Sequence, residues 1–105
     1  MASPSFVELI LTCASWQEAQ AIADTLLNKR LIACAEFIEV KSKYLWHDKL
    51  EEVDEVKLVM ETVASNFEKV EAEVARLHSY DTFVLYAIPA SHISGRVTKW
   101  LEEEL

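Results

Sequence analysis

The stretch Leu31–Trp46, LIACAEFIEVKSKYLW, constrains this chain more than any other. It closes one helical pattern, which ends at Lys29-Arg30, and opens a long strand pattern. Ala33, Cys34 and Ala35 are small and begin a segment that must pack tightly. Tyr44 and Trp46 stand two positions apart, on one face of any strand drawn through them. Two large aromatics near the far end of a strand need a surface to cover them. A lone small domain offers little such surface, so the segment bears on assembly and function together.

The totals sharpen that expectation. A chain of 105 residues is read as one domain, 1–105. Its size allows roughly 60–70% of the unfolded surface to be buried. A hydrophobic fraction of 51% is high for so small a core and favours oligomerisation. The formal charge is −8, with 18 acidic against 10 basic residues and no basic stripe, so nucleic acid is not an expected partner. The start, MASPSFVELILT, lacks the basic and apolar regions of a secretory signal, and no apolar run approaches the ~20 residues that span a bilayer. Cys13 and Cys34 form no CxxC and no metal-ligand spacing. The expectation is reduced thiols, a cytoplasmic location and no membrane partner.

Phe6–Thr12 (FVELILT) reads as a buried strand. Ser15 opens a capping box with Glu18, and Ala19, Ile22, Ala23, Leu26 and Leu27 mark one face of a first helix. Lys29-Arg30 complement its negative end. Cys34–Trp46 is strand-like with imperfect alternation at Glu39-Val40-Lys41; HDKL (47–50) reverses the chain. Glu55–Thr62 then alternates cleanly, which makes a long hairpin. Ser65–Glu68 is a second capping box, before a helix with Phe67, Val70, Val74 and Leu77 on one face. Thr82–Pro89 (TFVLYAIP) reads as a strand buried on both sides. A short helix, Ser94–Leu105, carries Val97, Trp100 and Leu101 and should fray at Glu102, Glu103 and Glu104. The order β-α-β-β-α-β plus a terminal helix predicts an α+β, ferredoxin-like fold: an antiparallel sheet with its main helices on one face. The other face must be covered, and another subunit is the natural cover.

The chemistry-bearing residues are sparse. No glycines flank a serine as a nucleophile elbow requires, and the turn Cys13-Ala14-Ser15 has neither the glycine nor the arginine of a phosphate-handling hydrolase. The chain is therefore not expected to be an enzyme. His47 reads as a solvated turn residue, His78 as a helix-ending imidazole, and His92 as a connector. Cys13 is read as exposed at a sheet edge and Cys34 as a small core residue. Thiolate and imidazole suit copper-type metals, so Cys13 with His78 would make a sparse site.

Several blocks in order resemble the CutA divalent-cation tolerance family. They are LLNKRLIACA (26–35), SKYLW (42–46), KLEE (49–52), EVKLVMET (55–62), HSYDT (78–82), AIP (87–89) and VTKWL (97–101). Together they cover nearly the whole chain. Departures are Glu39-Val40 in place of a proline-glycine turn, His47-Asp48 in place of a glycine, Glu61 for lysine, Ser79 for proline, and Phe83-Val84 for proline-glutamate.

The resemblance implies a PII-like homotrimer built from sheet edges and long hairpins that wrap between neighbours. It implies a non-enzymatic role in tolerance of divalent ions, with copper or another divalent cation as the ion concerned and Cys13 and His78 as its ligands. Tyr44, Trp46, Lys57, Glu61, Tyr80 and Trp100 become candidates for the inter-subunit cleft and interface. The alternative is a PII- or ACT-type regulatory module that binds a small ligand in that cleft; a bare structural scaffold is a third reading.

Overall fold

The computed structural model describes residues 5–105, and its centre is strand β1, Phe6–Cys13. The reading of the extreme N-terminus as free of a leader rests partly on residues 1–4, which lie outside the described residues. β1 pairs antiparallel with β3, Lys49–Val63, from Phe6↔Val63 to Cys13↔Val56. On its other side it pairs with β4, Leu85–Pro89, from Val7↔Pro89 to Leu11↔Leu85. β2, Cys34–Trp46, pairs only with β3, giving the order β2-β3-β1-β4. Helices α1, Trp16–Asn28, and α2, Phe67–Leu77, join the strands in the ferredoxin-like manner, and α3, Gly95–Glu104, follows β4.

Period-two alternation decides what each strand buries. Val7, Leu9, Leu11 and Cys13 of β1 and Val56, Leu58 and Met60 of β3 point to one side. There they meet Ala19, Ile22, Ala23 and Leu26 of α1 and Val70 and Val74 of α2 in one core. Truncating one of the fully buried leucines to alanine costs about 2–5 kcal/mol in such a setting. On the other sheet face, turned away from α1 and α2, Ile10 and Val63 are buried. Ile38, Tyr86 and Ile88 lie on it and remain close to half exposed.

The helix ends show how local chemistry works and where it yields. Ser15 caps α1 by accepting the Glu18 N–H at 3.2 Å. The return bond is displaced by one residue, since the Glu18 carboxylate accepts from the Ala14 N–H at 2.7 Å. Arg30 closes α1 with a left-handed φ of 56°; its N–H donates to the Leu27 carbonyl and the Leu31 N–H to that of Leu26, a Schellman closure built without glycine. The capping box expected at Ser65–Glu68 does not form. A 3-10 turn occupies Ala64–Asn66, and the Asn66 side chain donates to the Leu31 carbonyl and the Thr62 hydroxyl instead. Tertiary bonds outbid the local cap.

Two further expectations change. α3 does not fray before Glu104: Leu101 is buried and Arg30 Nη1 donates to the Glu104 carbonyl at 2.9 Å, countering the acidic end. β4 is shorter than the run Thr82–Pro89 and is largely exposed rather than buried on both sides. Four of its five residues are exposed, which the apolar pattern alone cannot reveal.

The β2–β3 ladder runs without a bulge from Cys34↔Glu61 to Trp46↔Lys49, straight through Glu39-Val40. His47 and Asp48 close it with φ of 51° and 63°, the left-handed pair of a type I′ turn. β1 ends opposite Val56, so the hairpin beyond that point pairs only with itself. The molecule is accordingly elongated, 49 Å against 26 and 22 Å, with a radius of gyration of 14.7 Å where about 13 Å is usual for this length.

Candidate functional site

Where the hairpin leaves the sheet, its side turned away from α1 and α2 forms a groove of about 560 Å³ with the segment that follows α2. Register explains its composition. Tyr44 faces Glu51 across the hairpin, and Ser42, Tyr44 and Trp46 share a side with Glu51 and Glu55. Thr12 at the end of β1 and Tyr80, Asp81 and Thr82 beyond α2 close the inner end. Glu55 is only 6% exposed, and its Oε2 accepts a hydrogen bond from the Tyr80 hydroxyl at 2.7 Å. Burial, that bond and the adjacent carboxylate push the Tyr80 pKa up, so the phenol is held protonated as a donor.

His78 anchors this inner end. Its side chain is wholly buried at the end of α2. Nδ1 accepts the Tyr80 N–H at 3.0 Å, which places the ring proton on Nε2, and Nε2 donates to the Thr12 carbonyl at 2.8 Å. The ring stacks on Phe83 with centroids 5.4 Å apart. The Glu18 carboxylate lies 3.5 Å from Nδ1 and accepts the Ser79 N–H as well as that of Ala14. Burial alone would raise the Glu18 pKa, but the Ser79 and Ala14 N–H groups outweigh it and hold the carboxyl below its ordinary value. The imidazole is thus a structural junction of β1, α2 and the groove rather than a free cation at the helix end.

Cys13 is not at an exposed edge. It ends the inner strand β1, facing the helices, and burial, then Glu18 and Glu55, push its thiol up to about 12. Cys34 in turn is not a core residue. It pairs with Glu61 on the face turned away from α1 and α2 and is half-buried, because the neighbouring Ala35↔Met60 pair takes the core side. Its thiol is raised by burial and by Glu61 and Glu36.

The pair Cys13 and His78 does not fit a copper centre as it stands. The ligand forms required are a thiolate and a free imidazole nitrogen. Here the thiol is buried and strongly protonated, and both imidazole nitrogens are engaged. Among the described residues, no group of three or more His, Cys, Asp or Glu side chains is placed to hold a metal.

The remaining candidates separate. Tyr44, Trp46 and Tyr80 converge on the groove. Lys57 and Glu61 lie on the sheet face turned away from α1 and α2, where Lys57 is opposite Thr12 and Glu61 opposite Glu8. Burial, then Glu36 and Glu8, raise the Glu61 carboxyl. Trp100 is on α3, outside the groove walls. Sequence reasoning missed Glu51, Glu55 and Asp81. The signal for the first two was present: once HDKL is read as a two-residue turn at His47-Asp48, the register places Glu51 opposite Tyr44 and Glu55 on the same side.

The family model for "CutA1 divalent ion tolerance protein" matches residues 7–104. A protein of Pyrococcus horikoshii named "Divalent-cation tolerance protein CutA" is 34% identical over 93 residues, covering 89% of this chain and 91% of its own. One of the same name from Archaeoglobus fulgidus is 34% identical over 95 residues, covering 90% and 93%. A solved structure described as the periplasmic divalent cation tolerance protein CutA from Archaeoglobus fulgidus matches with a TM-score of 0.92 at 32% identity, over 94% of this chain and 97% of that one. No helix among the described residues is long and apolar enough to cross a membrane.

Proposed function

The chain belongs to the CutA1 divalent ion tolerance family, and on that premise we propose that it acts in divalent-cation tolerance as a non-enzymatic homotrimer. One observation carries the assembly: the sheet face turned away from α1 and α2, where Ile38, Tyr86 and Ile88 are close to half exposed, continues onto a hairpin that projects past β1 with Trp46 close to half exposed. Exposed patches of this kind mark association surfaces on soluble proteins. The likeness of the fold to CutA structures supports the same reading. In it, Tyr44 and Trp46 pack across a subunit boundary, and the exposed outer side of β4 is covered by a neighbour.

The divalent ion, copper included, enters this reading as what the cell must tolerate rather than as a cofactor held by Cys13 and His78. Two free cysteines support a cytoplasmic location. The Archaeoglobus protein is described as periplasmic, so fractionation of the native host decides the compartment.

Sedimentation equilibrium tests the assembly. The expected mass is three times the 12.0 kDa chain at micromolar concentration; a monomer there overturns it. The role itself is tested by deleting the gene in its native host. Lower tolerance of copper and other divalent cations, restored by the wild-type chain, is the expected result; unchanged growth in every cation overturns it.

A further inference from the structure

The groove at the base of the hairpin and the outer side of α3 are complementary surfaces at opposite ends of β1. Glu51, Glu55 and Asp81 line the groove beside Tyr44, Trp46 and Tyr80, and no lysine, arginine or histidine does. Glu55 is bonded to Tyr80, whereas Glu51 and Asp81 form no ion pair among the described residues. Tyr44 and Trp46 belong to the surface that packs across a subunit boundary in the assembly. The fitting occupant is therefore part of a neighbouring copy rather than a free ligand.

α3 carries the matching chemistry. Its packed side is Val97, half-buried, and Leu101, buried. Arg96, Lys99 and Trp100 stand at i, i+3 and i+4, on a side of their own, and all three are exposed. Neither cation forms an ion pair among the described residues. A tryptophan flanked by cations on one helix face is the counterpart of an aromatic groove bordered by carboxylates. Tryptophan and arginine are also the side chains that contribute most at interfaces, and a helix laid in a groove is a common way to present them.

A chain's own α3 is out of reach of its groove. The Ala90 N–H donates to the Phe6 carbonyl at 3.1 Å, so β4 leaves the sheet towards α3 at the Phe6 end of β1. α3 ends on Arg30, beside Leu31, whose carbonyl accepts from the Thr62 hydroxyl opposite Val7. Thr12 closes the groove at the other end of β1, about 20 Å along the strand. Donor face and receiving groove are thus different surfaces, as the head-to-tail contact of a closed cyclic trimer requires. We propose that α3 of one copy docks in the groove of the next, with Trp100 between Tyr44 and Trp46 and with Arg96 and Lys99 facing Glu51 and Asp81. This docking rests on the assembly reading and names the part of the neighbour that the groove receives.

The test is sedimentation equilibrium on the full chain and its variants, with circular dichroism to confirm folding. Wild type should be a trimer. Trp100→Ala, and separately Arg96→Glu with Lys99→Glu, should each weaken association about tenfold or more. Glu51→Lys with Asp81→Lys should also weaken it, yet the same two changes added to the charge-reversed α3 should restore the trimer. That rescue keeps the docking testable if Trp100→Ala fails to fold. The docking is overturned if the folded α3 variants associate as tightly as wild type, or if reversing both surfaces together restores nothing. It is also overturned if Trp100→Ala stays trimeric while wild type binds agmatine saturably in a calorimetric titration, for then a small cation occupies the groove. A monomeric wild type overturns the assembly reading and the docking with it; a trimer indifferent to the α3 changes overturns the docking alone.

Discussion

The Nε2–H of His78 donates to the carbonyl of Thr12 at 2.8 Å, joining residues 66 apart in the chain. This bond, with the Tyr80 N–H on Nδ1, fixes where the segment after α2 crosses the end of β1. Removing the ring leaves a part-buried carbonyl and an amide without their partners. His78→Ala should therefore cost about 2–3 kcal/mol in guanidinium unfolding. Because the nitrogens are already engaged, copper titration of the folded variant should match wild type. A lost copper isotherm with unchanged stability would assign His78 to a metal instead.

The hairpin turn should be improvable. His47 and Asp48 both hold left-handed φ values that favour asparagine and glycine. The double substitution His47→Asn, Asp48→Gly should stabilise the chain by about 0.5–1 kcal/mol, read as a higher denaturation midpoint with an unchanged slope. A lower midpoint would mean that another turn geometry is populated.

Cys13 should resist alkylation by iodoacetamide at pH 8 in the folded protein, while half-buried Cys34 is modified slowly. Its folded pKa is raised to about 12 from 9.0. As pH rises through that interval the unfolded thiol ionises and the folded one does not, so stability falls with rising pH. Cys13→Ala should show a flatter alkaline limb; an identical limb would refute the assignment.

Glu18 behaves in the opposite sense. Its folded pKa lies below 4.5, so its contribution is present above that value and is lost as pH falls through the folded one. Glu18→Gln should therefore flatten the acid limb of a stability–pH curve. Wild-type steepness in the variant would show that the Ala14 and Ser79 bonds do not favour the ionised form.

Glu61 is a source of strain among like charges. Burial and the carboxylates of Glu36 and Glu8 raise its pKa above 4.5. Its ionised form thus costs stability at neutral pH, and that cost is relieved as pH falls through the raised value. Glu61→Gln should add about 0.5 kcal/mol at pH 7 in chemical unfolding. A loss of stability would mean that the carboxylate makes a favourable contact within the assembly.

Much of the fold was legible because it rests on periodicity. The α1 face, the α2 face and the alternation of β3 each state which residues should be buried: Ala19, Ile22, Ala23, Leu26, Val70, Val74, Val56, Leu58 and Met60 are, Phe67 and Leu77 are partly so, and Leu27 at the end of the α1 face is exposed. The second capping box misled because Asn66 is drawn away to Leu31, a contact 35 residues distant. Cys13 and Cys34 were each assigned the wrong surroundings for a similar reason. Strand parity cannot be counted until a register is fixed, and one step moves a side chain through the sheet. The groove was half legible: Tyr44 and Trp46 stood out by their size, Tyr80 entered only through the family resemblance, and Glu55 looked like an ordinary strand charge.

The stretch Leu31–Trp46 shows the division most plainly. By itself the sequence determined that this segment is a strand with two aromatics on one side, because side-chain period and steric preference are local properties. Only the tertiary structure decided what lies beside them. Where β1 stops opposite Val56, and how His78 ties the following segment across it, together place Tyr80 over Glu55 beside the aromatics. Those contacts join residues far apart in the chain, and no pattern within one segment encodes them.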